Sequence, residues 1–146
     1  MMAIEPNLFA FPAAFTPDNE DGGFVVTFRD LPEAITQGDT VQQCFSEASD
    51  CLAEAIAARI DDDRDIPLPT QEREKEYLVP VPLEMAWKAE IHTAMRKTST
   101  TVAHLASDLN IAEDKVRRLL NPCCSVDRFL AEKALNAIYG IRYAQL

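Results

Sequence analysis

Residues 100–121, TTVAHLASDLNIAEDKVRRLLN, place the narrowest constraint on the fold. Val102, Leu105, Ala106 and Leu109 recur at three- and four-residue intervals, the apolar stripe of one short helix. Asn110 follows where the chain must reverse, and asparagine is the best substitute for glycine at a left-handed position. Ile111 restarts the apolar count, and Val116, Leu119 and Leu120 give a second stripe with Lys115, Arg117 and Arg118 on the opposite face. Two short helices, a tight turn and outward cations on the second predict a helix-turn-helix whose second helix enters a DNA major groove. The candidate DNA-contacting residues are Thr100 and Thr101 at its start and Glu113, Asp114, Lys115, Arg117 and Arg118 on the second helix. Ala112 is a poor N-cap. Glu113 and Asp114 suit the helix dipole but face phosphates or bases, where a carboxylate can accept from cytosine N4.

A net charge of −10 argues against binding a polyanion until it is divided along the chain. Residues 1–80 hold 17 acids against 5 bases, a net of −12, and residues 81–146 hold 7 against 9, a net of +2. An acidic half therefore stands beside a mildly basic half that carries the helix pair. With 47% apolar and 26% charged residues the composition is that of a soluble globular protein of one or two small domains. MMAIEPNLFAF lacks the cationic start and long apolar core of a signal peptide, and no apolar run approaches the roughly 18 residues of a membrane span. A cytoplasmic location, with no membrane partner, is the expectation. Cys44 and Cys51 lie seven apart on a predicted helix, about 10 Å along its axis and too far for a disulfide. Cys123 and Cys124 have no CxxC or CxxH companion, so no metal or other cofactor is expected.

In chain order, Leu8 to Phe15 reads as a strand, with Pro12 implying an edge or bulge position. TPDNEDGG is a turn, and Phe24, Val26 and Phe28 alternate along a second strand that closes a hairpin. Ala34 to Gln37 is a short third strand. Thr40 then caps a helix with Gln43 as its capping-box partner. Its apolar stripe is Cys44, Ala48, Cys51, Leu52, Ala55 and Ile56, while Gln42, Glu47, Asp50 and Glu54 face outward and Asp61-Asp62-Asp63 ends it. A further strand runs from Glu76 to Val81, limited by Pro80 and Pro82, and a domain boundary falls near residues 79–83. A helix from Leu83 to about Lys97 draws its core from Met85, Ala86, Trp87, Ala89 and Met95. After Asn121-Pro122 stops the second helix of the pair, Ser125 caps a last helix that Gly140 ends. Leu130, Ala134, Ala137 and Ile138 point inward along it, and the apolar tail IRYAQL is suited to packing on a second copy. The order is β-β-β-α-β followed by four helices, an α+β protein in two domains, 1–80 and 81–146.

FPAAF, an acidic turn with Gly22-Gly23, FVVTFRDLP, TQGDT at the head of a helix and IPLP, in that order over most of residues 9–69, resemble the N-terminal domain of HicB antitoxins. One branch of that family also carries a C-terminal helix-turn-helix, so the resemblance extends over nearly the whole chain. The departure is Glu33-Ala34, where the family often has a glycine and a small residue after Leu-Pro. The resemblance implies a degenerate ribonuclease-H-like N-terminal domain without ribonuclease activity. This domain would bind and mask HicA, a small basic mRNA-cleaving toxin. It also implies a C-terminal domain that binds the operator and represses the operon, with dimers or larger oligomers paired through it. A basic toxin needs an acidic counter-surface. Asp18, Glu20 and Asp21 in the hairpin turn and Glu47, Asp50 and Glu54 on the helix are the candidate toxin-binding residues, chosen on charge and exposure.

Two other classes of function are weighed against this one. A ribonuclease-H-type enzyme needs a metal-holding acid in the first strand, and Phe9 to Phe15 contain none. Neither histidine stands near a nucleophile, so catalysis is not expected. The alternative is a stand-alone helix-turn-helix regulator whose N-terminal domain senses a ligand or protein.

Overall fold

The computed structural model describes residues 9–144, with side chains to Gly140. Strands β1 (Ala10–Pro17), β2 (Phe24–Phe28) and β3 (Ile35–Gly38) precede helix α1 (Val41–Asp61). Strand β4 (Glu76–Pro80) is followed by helices α2 (Leu83–Thr98), α3 (Val102–Leu109), α4 (Glu113–Leu120) and α5 (Arg128–Ala144). The element order is the one read from the sequence, and the protein is α+β. Among the described residues the strands form one antiparallel sheet in the order β3-β2-β1-β4.

Alternation along the strands puts Phe11, Ala13, Val26, Phe28 and Val79 on one face, where they are buried. Helix α1 lays Cys44, Ala48, Leu52, Ala55 and Ile56 onto that face. Each large side chain removed from water there contributes about 1.5–3 kcal/mol. The α1 start is a variant of the expected capping box: Thr40 Oγ1 accepts from Gln43 N–H at 3.1 Å, but Gln43 Oε1 accepts from the Asp39 N–H at 2.8 Å, one residue further back.

The edge or bulge position expected from Pro12 is corrected, because β1 is paired on both sides. The Val81 N–H donates to Phe9 O on the β4 side, and the Asp18 N–H donates to Gly23 O on the β2 side. Hydrogen-bonding direction alternates along a strand, so the Pro12 nitrogen points toward β2, beside Arg29, just past the end of that strand. An interior proline is tolerated because no ladder bond is owed at that point.

Helix α2 serves two cores. Met85, Ala86 and Ala89 complete the sheet-and-α1 cluster, and Trp87, Ile91, Ala94 and Met95 join a second one with Leu105, Ala106, Val116, Leu119, Ala131, Ala134, Leu135 and Ile138. Two expectations about α5 are corrected. Its cap is Asp127, whose Oδ1 accepts from Leu130 N–H at 3.2 Å while its carbonyl accepts from Ala131 N–H at 2.9 Å, and not Ser125. Gly140 lies inside the helix rather than at its end. The side chains of the tail expected to pack on a second copy lie outside the described ones.

Candidate functional site

The helix pair α3–α4 is built as its sequence requires. Thr101 Oγ1 caps α3 by accepting from His104 N–H at 3.1 Å. Asn110, at φ 55° and ψ 48°, makes the left-handed reversal, leaving Ile111 and Ala112 to complete the turn. Ala112 provides no side-chain cap, and Glu113 and Asp114 in the first turn of α4 complement its dipole instead. Val116 and Leu119 are buried under α4, while Glu113, Asp114, Lys115, Arg117 and Arg118 are exposed.

These exposed residues are not equivalent. Arg117 is engaged within its own helix, by Glu113 at 3.1 Å and Asp114 at 3.4 Å. Among the described residues, Lys115 and Arg118 have no ion-pair partner. With Leu119, Ser125, Asp127 and Leu130 they line a hollow of about 260 Å³ between α4 and the start of α5. Thr100 is half-buried and its hydroxyl pairs with that of Thr98 at 2.6 Å. Thr100 and Thr101 are thus already committed to the turn and cap that hold α3 in place.

On the acidic half, the candidates also divide. Asp18 Oδ1 accepts the N–H groups of Glu20 at 3.0 Å and Asp21 at 3.2 Å, so its carboxylate shapes the hairpin turn. Glu20 and Asp21 are exposed at that turn. Glu47, Asp50 and Glu54 are exposed at spacings of three and four on α1, so they form one ridge.

Four residues that carry much of the architecture were not singled out from sequence. Lys88 is 1% exposed and donates through Nζ to the carbonyls of Asn121 and Cys124, tying the loop after α4 to α2. Burial pushes its ammonium pKa down. His92, 5% exposed, donates from Nε2 to Arg64 O at 2.7 Å. Arg96 Nε donates to Asp65 Oδ1 at 2.7 Å, and its Nη1 lies 2.9 Å from Asp63 Oδ1. The guanidinium holds the Asp65 carboxyl below its usual range. Arg29 Nη2 donates to Glu76 Oε1 at 3.0 Å, and its Nη1 donates to Thr70 Oγ1. Lys88 and His92 stand on the same helical stripe as Met85, Ala89 and Met95, and that register was the available signal.

Among the described residues no group of three or more His, Cys, Asp or Glu side chains is arranged to hold a metal ion, and no helix is long and apolar enough to cross a membrane. What the geometry offers is two surfaces: an acidic ridge and turn on a sheet-and-helix lobe, and a helix presenting unpaired cations on an all-helical lobe. Together they define a protein built for binding at two places.

Comparison with known proteins specifies the class. The profile of the HicB-like antitoxins of bacterial toxin–antitoxin systems matches residues 10–90. Antitoxin HicB of Escherichia coli K12 is 34% identical over 111 residues, covering 76% of this chain and 80% of that protein. Antitoxin HicB 2 of Photorhabdus laumondii is 32% identical over 128 residues, covering 88% and 89%. Antitoxin HicB of Pseudomonas fluorescens Pf0-1 is 26% identical over 112 residues, covering 76% and 77%. The chain belongs to the HicB-like antitoxin family.

Proposed function

We propose that this chain is a non-enzymatic antitoxin with two separable binding surfaces. The sheet-and-α1 lobe, residues 1–80, binds and masks a small basic HicA-type mRNA-cleaving toxin. The helical lobe, residues 81–146, binds operator DNA through the α3–α4 helix-turn-helix and represses the protein's own operon. A homodimer, or a dimer of dimers, presents two recognition helices to half-sites about 34 Å apart.

The observation that carries the DNA-binding half is the pairing pattern on α4. Lys115 and Arg118 are exposed and free of acids, and the buried Val116 and Leu119 fix the face they stand on. The toxin-binding half is supported by the −12 balance of residues 1–80 and the exposed ridge Glu47, Asp50 and Glu54. A surface of that sign raises the association rate with a basic protein. Glu20 and Asp21 extend it, and Asp18 supports it as the turn-former.

Co-expression with the neighbouring reading frame tests both halves. A short basic protein should co-purify, and the complex should retard a fragment of the shared promoter. Absence of a complex contradicts the masking role, and absence of retardation by either form contradicts the repressor role. Titrating the toxin should change operator affinity, because it neutralises the acidic lobe. An affinity that stays constant at every ratio removes charge compensation as the link.

A further inference from the structure

Arg96 stands at the C-terminal end of α2, two turns of chain ahead of α3, and it is gripped from the other lobe. Its Nε donates to Asp65 Oδ1 at 2.7 Å, its Nη1 donates to the Asp63 carbonyl at 2.6 Å, and the same Nη1 lies 2.9 Å from Asp63 Oδ1. Between these two acids, the Arg64 carbonyl accepts from the buried His92 ring at 2.7 Å. The loop is therefore seated at its centre by a buried hydrogen bond and flanked by two carboxylates that reach one guanidinium. Those carboxylates are 83% and 85% exposed, and Arg96 is 34% exposed, so the ion pairs form in high dielectric and are easily exchanged.

The position of this contact gives it a consequence. Arg96, Asp63, Thr100, Thr101 and Val102 line one cavity of about 410 Å³ at the start of α3. In a helix-turn-helix the first helix of the pair crosses the DNA backbone, and cations and N–H groups at its start meet phosphates. A guanidinium there is suited to a phosphate, which it can take with two parallel hydrogen bonds. In this molecule that place beside Arg96 is occupied by two acids.

We propose that Asp63 and Asp65 form an autoinhibitory latch: they occupy Arg96 in the manner of a DNA phosphate, and DNA displaces them to bind. Arg96 is then a further phosphate-contacting residue, and the free protein is held below its full DNA affinity by its own acidic lobe. The inference rests on the DNA-binding reading of α3–α4.

The test titrates the full-length protein into a duplex carrying the DNA immediately upstream of its own coding sequence, over a range of salt. Asp63→Asn with Asp65→Asn should tighten binding about three- to tenfold. The slope of log affinity against log salt should steepen by about 0.9, for one phosphate gained. Asparagine keeps the left-handed backbone of position 63, at φ 53°. Asp61→Asn with Asp62→Asn removes the same charge from the same stretch without touching Arg96 and should leave the slope unchanged. Adding Arg96→Gln to the Asp63/Asp65 variant should return affinity and slope to wild-type values or below. Equal effects of the two acid pairs, tightening without a steeper slope, or a gain that survives Arg96→Gln each overturn the latch while the DNA-binding reading stands. Failure of both wild type and the Asp63/Asp65 variant to bind the duplex at any salt overturns the two together.

Discussion

Lys88 holds a full charge inside the helical lobe on the strength of two carbonyls, those of Asn121 and Cys124. Its four-carbon stem packs as an apolar chain, so Lys88→Met keeps the volume and removes the hydrogen bonds. The variant should lose about 1–3 kcal/mol in chemical denaturation, because the Cys124 carbonyl is left without its donor. Unchanged or increased stability contradicts the assigned role. Gly23 makes a second residue-level case. At φ 70°, a Cβ there meets the Gly38 carbonyl oxygen at 2.5 Å, whereas one at Gly22, φ 77°, meets nothing within 4 Å. Both Gly→Ala changes strain the backbone by about 1–2 kcal/mol, and Gly23→Ala should cost measurably more in thermal unfolding. Sequence indicated the glycines as turn residues and Asn110 as the reversal, since those depend on the backbone alone. It did not indicate Lys88 or His92, because their partners lie 33 to 36 and 28 residues away and are main-chain atoms, which no residue type announces.

At the scale of elements, hydrophobic period was the reliable signal. The alternation in Phe24 to Phe28 and the three-four spacing in α1, α3 and α4 set element type and order, and all of them appear where expected. Pairing was less legible: Pro12 reads as an edge residue, yet β1 is interior, because β2 ends before that proline owes a hydrogen bond. The α5 cap was misread for a related reason. Ser125 and Asp127 are both good caps by type, and the geometry selects Asp127. Asp127→Ala should therefore cost about 0.5–2 kcal/mol, and Ser125→Ala should be near neutral. The chain between α1 and β4 is held by ion pairs that make stability depend on acid. Arg29 holds the Glu76 carboxyl below its usual range, and Arg59 does the same to Glu33, mainly through direct hydrogen bonds. Carboxyl groups with depressed folded pKa values stabilise fully above their unfolded value, about 4.3, and lose that contribution as pH falls through the folded value. The thermal midpoint should drop as pH is lowered from about 5 toward 3, and Glu76→Gln should flatten the dependence. An identical pH profile for the variant excludes the Arg29–Glu76 pair as a source.

For the whole molecule, the division of charge matters more than the total. The −12 and +2 halves are joined through α2, which contributes to both cores and carries the Arg96 contact between the lobes. The family was legible from short ordered phrases in residues 9–69 and is borne out by relatives 34% and 32% identical over most of the chain. The acidic and basic surfaces were legible as charge, but the distinction between free and engaged residues was not. Arg117 and Arg118 read alike in the sequence, yet the first is paired with Glu113 and Asp114 and the second is not. The central claim is that the two surfaces act independently, one on a toxin and one on an operator. Its most direct measurement compares Lys115→Ala/Arg118→Ala with Glu47→Lys/Asp50→Lys/Glu54→Lys, each assayed for promoter-fragment retardation and for capture of the neighbouring frame's product. The account predicts that the first variant loses DNA binding by about tenfold or more while keeping the protein complex. The second should lose the complex while still retarding DNA. Simultaneous loss of both activities in either folded variant contradicts it.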